Sequence, residues 1–184
     1  NISRCKELTD ISSLSTLVNL RHLNMSYSPK INDISSLSTL VNLRYLNTSY
    51  SPKINDISSL STLVNLRYLN MSDSENISDI SSLSNLVNLE YLDLACLYKI
   101  IDFNSLSNLV NLRHLDIFRC RLTNLNPLST LVNLRHLNAS HSHTLIDINS
   151  LGNLVKLEQL DIKFLRNIID FNPLSKLINL KRLN

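Results

Sequence analysis

Residues 24–46 read NMSYSPKINDISSLSTLVNLRYL, and residues 47–69 read NTSYSPKINDISSLSTLVNLRYL. Two consecutive 23-residue stretches that differ only at Met25 and Thr48 cannot arise by chance, so the chain is a repeat before it is anything else. The tetrapeptide Leu-Val-Asn-Leu begins at Leu17, Leu40, Leu63, Leu86, Leu109 and Leu131. It returns as Leu154-Val155-Lys156-Leu157 and Leu177-Ile178-Asn179-Leu180. The step is 23 residues throughout, except for 22 between Leu109 and Leu131. Composition agrees: in 184 residues there are one Gly, four Pro and no Trp. Irregular globular turns draw on Gly and Pro. A chain that nearly dispenses with both must use one turn many times.

Within a period, two spacings alternate. The triplets Leu23-Asn24-Met25, Leu92-Asp93-Leu94, Leu115-Asp116-Ile117 and Leu160-Asp161-Ile162 place apolar residues two apart, which predicts a short half-buried strand. Ile34, Leu37, Leu40 and Leu43 recur every third position, which suits a 3₁₀ or very short helical segment. The Ser-rich filling at Ser35, Ser36 and Ser38 has poor α-helical propensity and favours the tighter option. An Asp precedes each such segment at Asp10, Asp33, Asp56, Asp79, Asp102, Asp147 and Asp170, with Asn124 once in its place. Asx at that point can accept the first free N–H groups of the turn. Pro127 and Pro173 fall three residues later, where no donor is needed.

This pattern resembles the leucine-rich repeat family over the whole chain. Its I-x-D-I-x-x-L-x-x-L-x-x-L-x-x-L cadence looks most like the short internalin-like repeats, and the 23-residue length also occurs in plant-type intracellular repeats. The resemblance implies an α/β fold: a right-handed leucine-rich-repeat solenoid with a parallel β-sheet on the concave face and 3₁₀ or short helical turns on the convex face. The family often places Asn or Cys just past the strand. Cys5 and Cys120 occupy that column here, but Ser28, Ser51, Ser74, Ser142, Leu97 and Leu165 fill the rest, so the family's usual Asn ladder is missing.

One period cannot bury enough apolar surface to offset the entropy of ordering it, so neighbouring coils must supply the balance. The expectation is one array over residues 1–184, of about eight repeats of 22–23 residues. Both ends stand at the same point of the period and show no polar cap, which reads as a section of a longer protein. The formal net charge is +3, a solubility-grade value that does not by itself indicate nucleic acid or an anionic membrane. The longest apolar runs are too short to span a bilayer. Cys5, Cys96 and Cys120 are odd in number and widely spaced, which excludes a disulfide framework and leans toward a reducing compartment. Asn-x-Ser begins at Asn1, Asn24, Asn47, Asn70, Asn76 and Asn138. Glycans at all but Asn76 would bury the strand face, so either the protein avoids the eukaryotic secretory route, which is the preferred reading, or this face is not its interface. Rich Asn, Ile, Ser and Lys usage fits an AT-rich genome, and the expected setting is intracellular or virion-associated.

Strand residues that point away from the core should form columns across the concave face. The first is Arg21, Arg44, Arg67, Glu90, Arg113, Arg135, Glu158 and Lys181. The second is His22, Tyr45, Tyr68, Tyr91, His114, His136, Gln159 and Arg182. Further along the strand come Tyr27, Tyr50, Asp73, Arg119, His141 and Phe164, which puts five of the six tyrosines on this face. Tyr and Arg anchor many protein interfaces, so the expected partner is a protein bound through these Tyr, Arg and His columns. Regular cross-strand stacks would use the same residues for sheet stability alone. The alternative is a structural or assembly component, which the near-identity of residues 24–46 and 47–69 favours.

Other chemistries have weaker support. Asp93 and Asp116 should be neighbours in the Asx column, but no enclosing pocket or nucleophile accompanies them, and the column reads as a structural ladder. His141, His143 and Cys120 fall short of four converging zinc ligands. Glu90, Glu158 and the aspartates interrupt the basic column, which argues against a phosphate track. Gly152 is the only glycine, so no phosphate-cradling loop exists. The expectation is neither a cofactor nor a catalytic centre.

Overall fold

Leu43 and Leu46 are both fully buried, and the two residues between them both face outward. The computed structural model describes residues 1–184. In it each period contributes one three-residue strand: β1 (His22–Asn24), β2 (Tyr45–Asn47), β3 (Tyr68–Asn70), β4 (Tyr91–Asp93), β5 (His114–Asp116), β6 (His136–Asn138) and β7 (Gln159–Asp161), with β8 shorter (Arg182–Leu183). They form one parallel sheet in sequence order, β1 to β8, with like residues in register: Tyr45 pairs with Tyr68, Leu46 with Leu69, Asn47 with Asn70.

Opposite the sheet, each coil carries a 3₁₀ turn, as the three-residue spacing predicts. These are Ser12–Thr16, Ser35–Thr39, Ser58–Thr62, Ser81–Asn85, Asn104–Asn108, Asn126–Leu128, Asn149–Asn153 and Asn172–Lys176. The Asx column works as expected, one residue further out than a helix N-cap. Asp33 Oδ1 accepts the Ser35 N–H at 2.7 Å, and Asn124 Oδ1 accepts that of Asn126 at 2.9 Å. Pro127 and Pro173 both sit in the first turn. Between sheet and turns the apolar side chains merge into one core cluster running from Ile11 to Leu177. No helix is long and apolar enough to cross a membrane.

The abundant Ser, Thr and Asn have a role that propensity alone did not reveal. They stitch coil to coil. Ser59 Oγ donates to Ile34 O at 3.0 Å, Thr62 Oγ1 to Ser38 O at 2.7 Å, and Asn65 Nδ2 to Val41 O at 2.9 Å. The Asn bond repeats from Asn42, Asn88, Asn111, Asn133 and Asn179. In the column past the strand, where an Asn ladder is missing, Ser74 Oγ donates to Thr48 O and the Cys120 thiol to Leu94 O. A short hydroxyl or thiol thus satisfies the preceding coil's carbonyl in place of an amide.

The third expected column requires correction. Tyr27, Tyr50, Asp73, Arg119, His141 and Phe164 are not strand residues; with Arg4 and Cys96 they all adopt φ between 56° and 64°. The Asx side chain ends the strand before them: Asn24 Oδ1 accepts the Ser26 N–H at 3.0 Å, and Asn47 Oδ1 that of Ser49 at 2.9 Å. The next residue then enters the left-handed region, a strain on the order of 1 kcal/mol or more for a side chain with a Cβ. That conformation keeps its N–H on the ladder: Tyr27 donates to Ser49 O at 2.8 Å and Tyr50 to Ser72 O at 2.9 Å.

Candidate functional site

Three columns cross or border the sheet. In the centre, the rings of His22, Tyr45, Tyr68, Tyr91 and His114 stack continuously, with centroids 3.9, 4.2, 4.2 and 4.3 Å apart and planes within 11°. In-register parallel pairing sets this spacing, because identical positions in successive strands must sit one above the next. The stack ends at His136, whose ring lies 5.7 Å from that of His114 and is tilted by 31°. The ring faces are spent on one another. What the row offers to solvent is ring edges, imidazole nitrogens and phenol hydroxyls. Burial holds the Tyr68 and Tyr91 phenols above their usual pKa, and burial followed by the His136 charge depresses that of His114.

The Arg column lies immediately before the strands, bordering the sheet rather than running through it. Its acidic members each draw on two neighbours. Glu90 bonds Arg67 at 2.7 Å and lies 3.9 Å from Arg113. Glu158 bonds Arg135 at 2.6 Å and Lys181 at 2.7 Å. Hydrogen bonds from Lys181 and Arg135 hold Glu158 below the usual carboxylate range. Arg21 and Arg44 make no ion pair. Arg67, Arg113 and Arg135 also line a polar cleft of about 390 Å³ with the asparagines of the coil-stitching ladder.

On the far side of the rings runs the Asx column. Asp93 and Asp116 pair in register between Asn70 and Asn138. Each carboxylate is engaged twice. Asp93 accepts the Ala95 N–H and the Asn70 amide, and Asp116 accepts the Phe118 N–H and the Asn138 amide. Between the two aspartates no donor intervenes. Burial pushes Asp93 up to about 6 and raises Asp116 as well. These carboxyls are ladder rungs, consistent with the structural reading of the column.

The remaining candidates divide. Tyr27 and Tyr50 stack at 4.2 Å, but beside the turn rather than among the strands. His141 packs against Phe164 at 4.3 Å and meets His143 edge-on at 5.8 Å, while the Cys120 thiol is buried against Leu94 O. No group of three His, Cys, Asp or Glu side chains converges closely enough to hold a metal ion. Sequence reading missed one surface feature. Val18, Val41, Val64, Val87, Val110, Val132 and Val155 each stay 43–47% exposed, forming an apolar row beside the 3₁₀ turns. The repeated Val of Leu-Val-Asn-Leu was its signal.

No protein-family model and no curated relative matches this sequence. Solved structures do match. The chain is similar to internalin C2 of Listeria monocytogenes, at 27% identity over 96% of this chain and 76% of that one, with a TM-score of 0.83. It is also similar to a leucine-rich-repeat protein of Leptospira interrogans, at 20% identity over 100% of this chain, with a TM-score of 0.84. It spans 53% of that protein's length, and the likeness there is one of fold. With eight parallel strands and eight 3₁₀ turns in regular alternation, the architecture is that of a leucine-rich-repeat solenoid.

Proposed function

We propose that this leucine-rich-repeat solenoid is a protein-recognition scaffold whose partner lies along the strand face. The observation that carries the reading is the five-ring row from His22 to His114, flanked by an arginine border. Tyr45, Tyr68 and Tyr91 are held rigid by their neighbours, so little side-chain entropy remains to be lost on binding. Their hydroxyls and edges, with the unpaired Arg21 and Arg44, favour an acceptor-rich, acidic partner surface. No catalytic role is assigned to Asp93 and Asp116, because their oxygens are already committed to the ladder.

The test is affinity for a partner recovered by display screening of the source proteome. Tyr45→Ala/Tyr68→Ala/Tyr91→Ala should weaken binding about 100-fold or more while far-UV circular dichroism persists. Unchanged affinity in a folded triple variant overturns the reading. The valine row supports a second one, lateral assembly between solenoids. A rise in mass with concentration by light scattering, abolished by Val64→Ser/Val87→Ser, would favour assembly over recognition.

A further inference from the structure

The turn beside β1–β3 builds a groove that the strand face does not share. Tyr27 and Tyr50 stack as one wall, and Pro29 and Pro52, two residues on in the same coils, line the other; together they bound a groove of about 690 Å³. Its ends carry opposite charge. Arg4 and Lys6 stand at one end, and the Arg4 guanidinium lies 5.8 Å from the Tyr27 ring centre, closing that face of the stack. At the other end the coil supplies no ring. Asp73 follows Tyr50 in the column, and Glu75 follows Pro52. Neither carboxylate is in an ion pair. The outer face of Tyr50 therefore looks toward Asp73 with no cation of the chain upon it.

We infer that this groove is a second binding site, for an extended proline-rich peptide that carries an acidic residue at one end and a Lys or Arg at the other. The walls suit such a segment because a polyproline II helix presents rigid pyrrolidine rings and loses little entropy on docking against aromatics. Charge fixes its direction. The partner's cation settles between the Tyr50 face and the Asp73 and Glu75 carboxylates, gaining both cation–π and ionic attraction. Its acid meets Arg4 and Lys6. Spacing fixes its length. Three coil steps of about 4.8 Å separate the Arg4 coil from the Asp73 coil, roughly 14 Å in all. At about 3.1 Å per residue in polyproline II, that corresponds to charges four or five residues apart.

The probes are Ac-Glu-Pro-Pro-Pro-Lys-amide and its Glu/Glu and Lys/Lys versions, titrated calorimetrically at low salt into the 184-residue chain. The mixed peptide should bind about three- to fivefold more tightly than either like-charged one. Tyr50→Ala should weaken it about tenfold. Asp73→Asn/Glu75→Gln should shift preference toward the Glu/Glu peptide; Asn tolerates the left-handed backbone at position 73, so the fold survives. Tyr45→Ala/Tyr68→Ala/Tyr91→Ala should leave peptide binding unchanged, which separates this site from the strand face. Equal binding of all three peptides, no binding, or full binding by a folded Tyr50→Ala variant overturns the inference.

Discussion

The coils at residues 24–69 and the coil that follows Leu112 are built from the same pattern, yet they finish differently. In the first region each 3₁₀ turn has five residues, the rings stack at 4.2 Å, and the column before the Asp holds Asn32, Asn55 and then Ser78. In the second, one residue is missing between Cys120 and Asn124. The 3₁₀ turn shrinks to Asn126–Leu128, and an isolated parallel bridge joins Asn124 to Asp147. Strand register does not change: His114 still pairs with His136 and Leu115 with Leu137. The lost residue is absorbed on the turn side, where hydrogen bonds can be re-made locally. The strand side cannot absorb it, because a one-residue slip would turn every core leucine outward. Surface character changes as well. The column that is Asn32 and Asn55 early holds Thr123 in the short coil and Ile101, Ile146 and Ile169 in the coils around it, and these isoleucines are 83%, 62% and 96% exposed.

If the two regions share one core, cutting into it should cost the same in each. Leu60 and Leu128 are both fully buried, so Leu60→Ala and Leu128→Ala should each lower the unfolding free energy by about 3 kcal/mol in urea melts. A cost below about 1 kcal/mol at Leu128 alone would show that the short coil is loosely packed.

The Asx column sharpens the contrast, since its early members are Asn and two Asp meet at β4 and β5. Asp93 has a folded-state pKa above its unfolded value, so the native state binds more protons between about 4 and 6. Stability on its account falls as pH rises through that window and stays low above it. Asp93→Asn should therefore stabilise the protein by about 1–2 kcal/mol at pH 7.5 and by nearly nothing at pH 3.5, as read by thermal melts. The turn carboxylates have the opposite sign. The Ser12, Ser35 and Ser58 N–H groups lower Asp10, Asp33 and Asp56, whose contribution is lost as pH falls through their folded values. A pH-independent effect of Asp93→Asn would mean that burial does not hold the Asp93 carboxyl above its free value.

The smallest effect belongs to the end of the ring row. His114→Tyr should extend the phenol stack by one and add about 0.5–1 kcal/mol at pH 7.5. Because His114 has a depressed pKa in the fold, the unfolded chain binds its proton first, and stability falls as pH drops below the free imidazole value. The variant should lose that share of the slope between pH 7 and 5.

Periodicity made most of this legible. A 23-residue step with Leu and Ile at fixed places leaves one way to bury them, coil upon coil, and the identity of the core, the parallel order of the strands and the 3₁₀ turns all follow from it. Ring stacking was also foreseeable, because like residues at like positions must meet in an in-register sheet. What only the tertiary structure decided depends on direction rather than position. Tyr27 and Tyr50 fall outside the strands because Asn24 and Asn47 accept the N–H groups of Ser26 and Ser49 just before them and the backbone then turns left-handed, a competition between local hydrogen bonds that sequence spacing does not rank. The tyrosine row shows its edges, the arginines border the sheet, and Asp93 and Asp116 lack a donor between them. Each outcome depends on where a side chain points and what the next coil places opposite it, and a linear pattern carries neither.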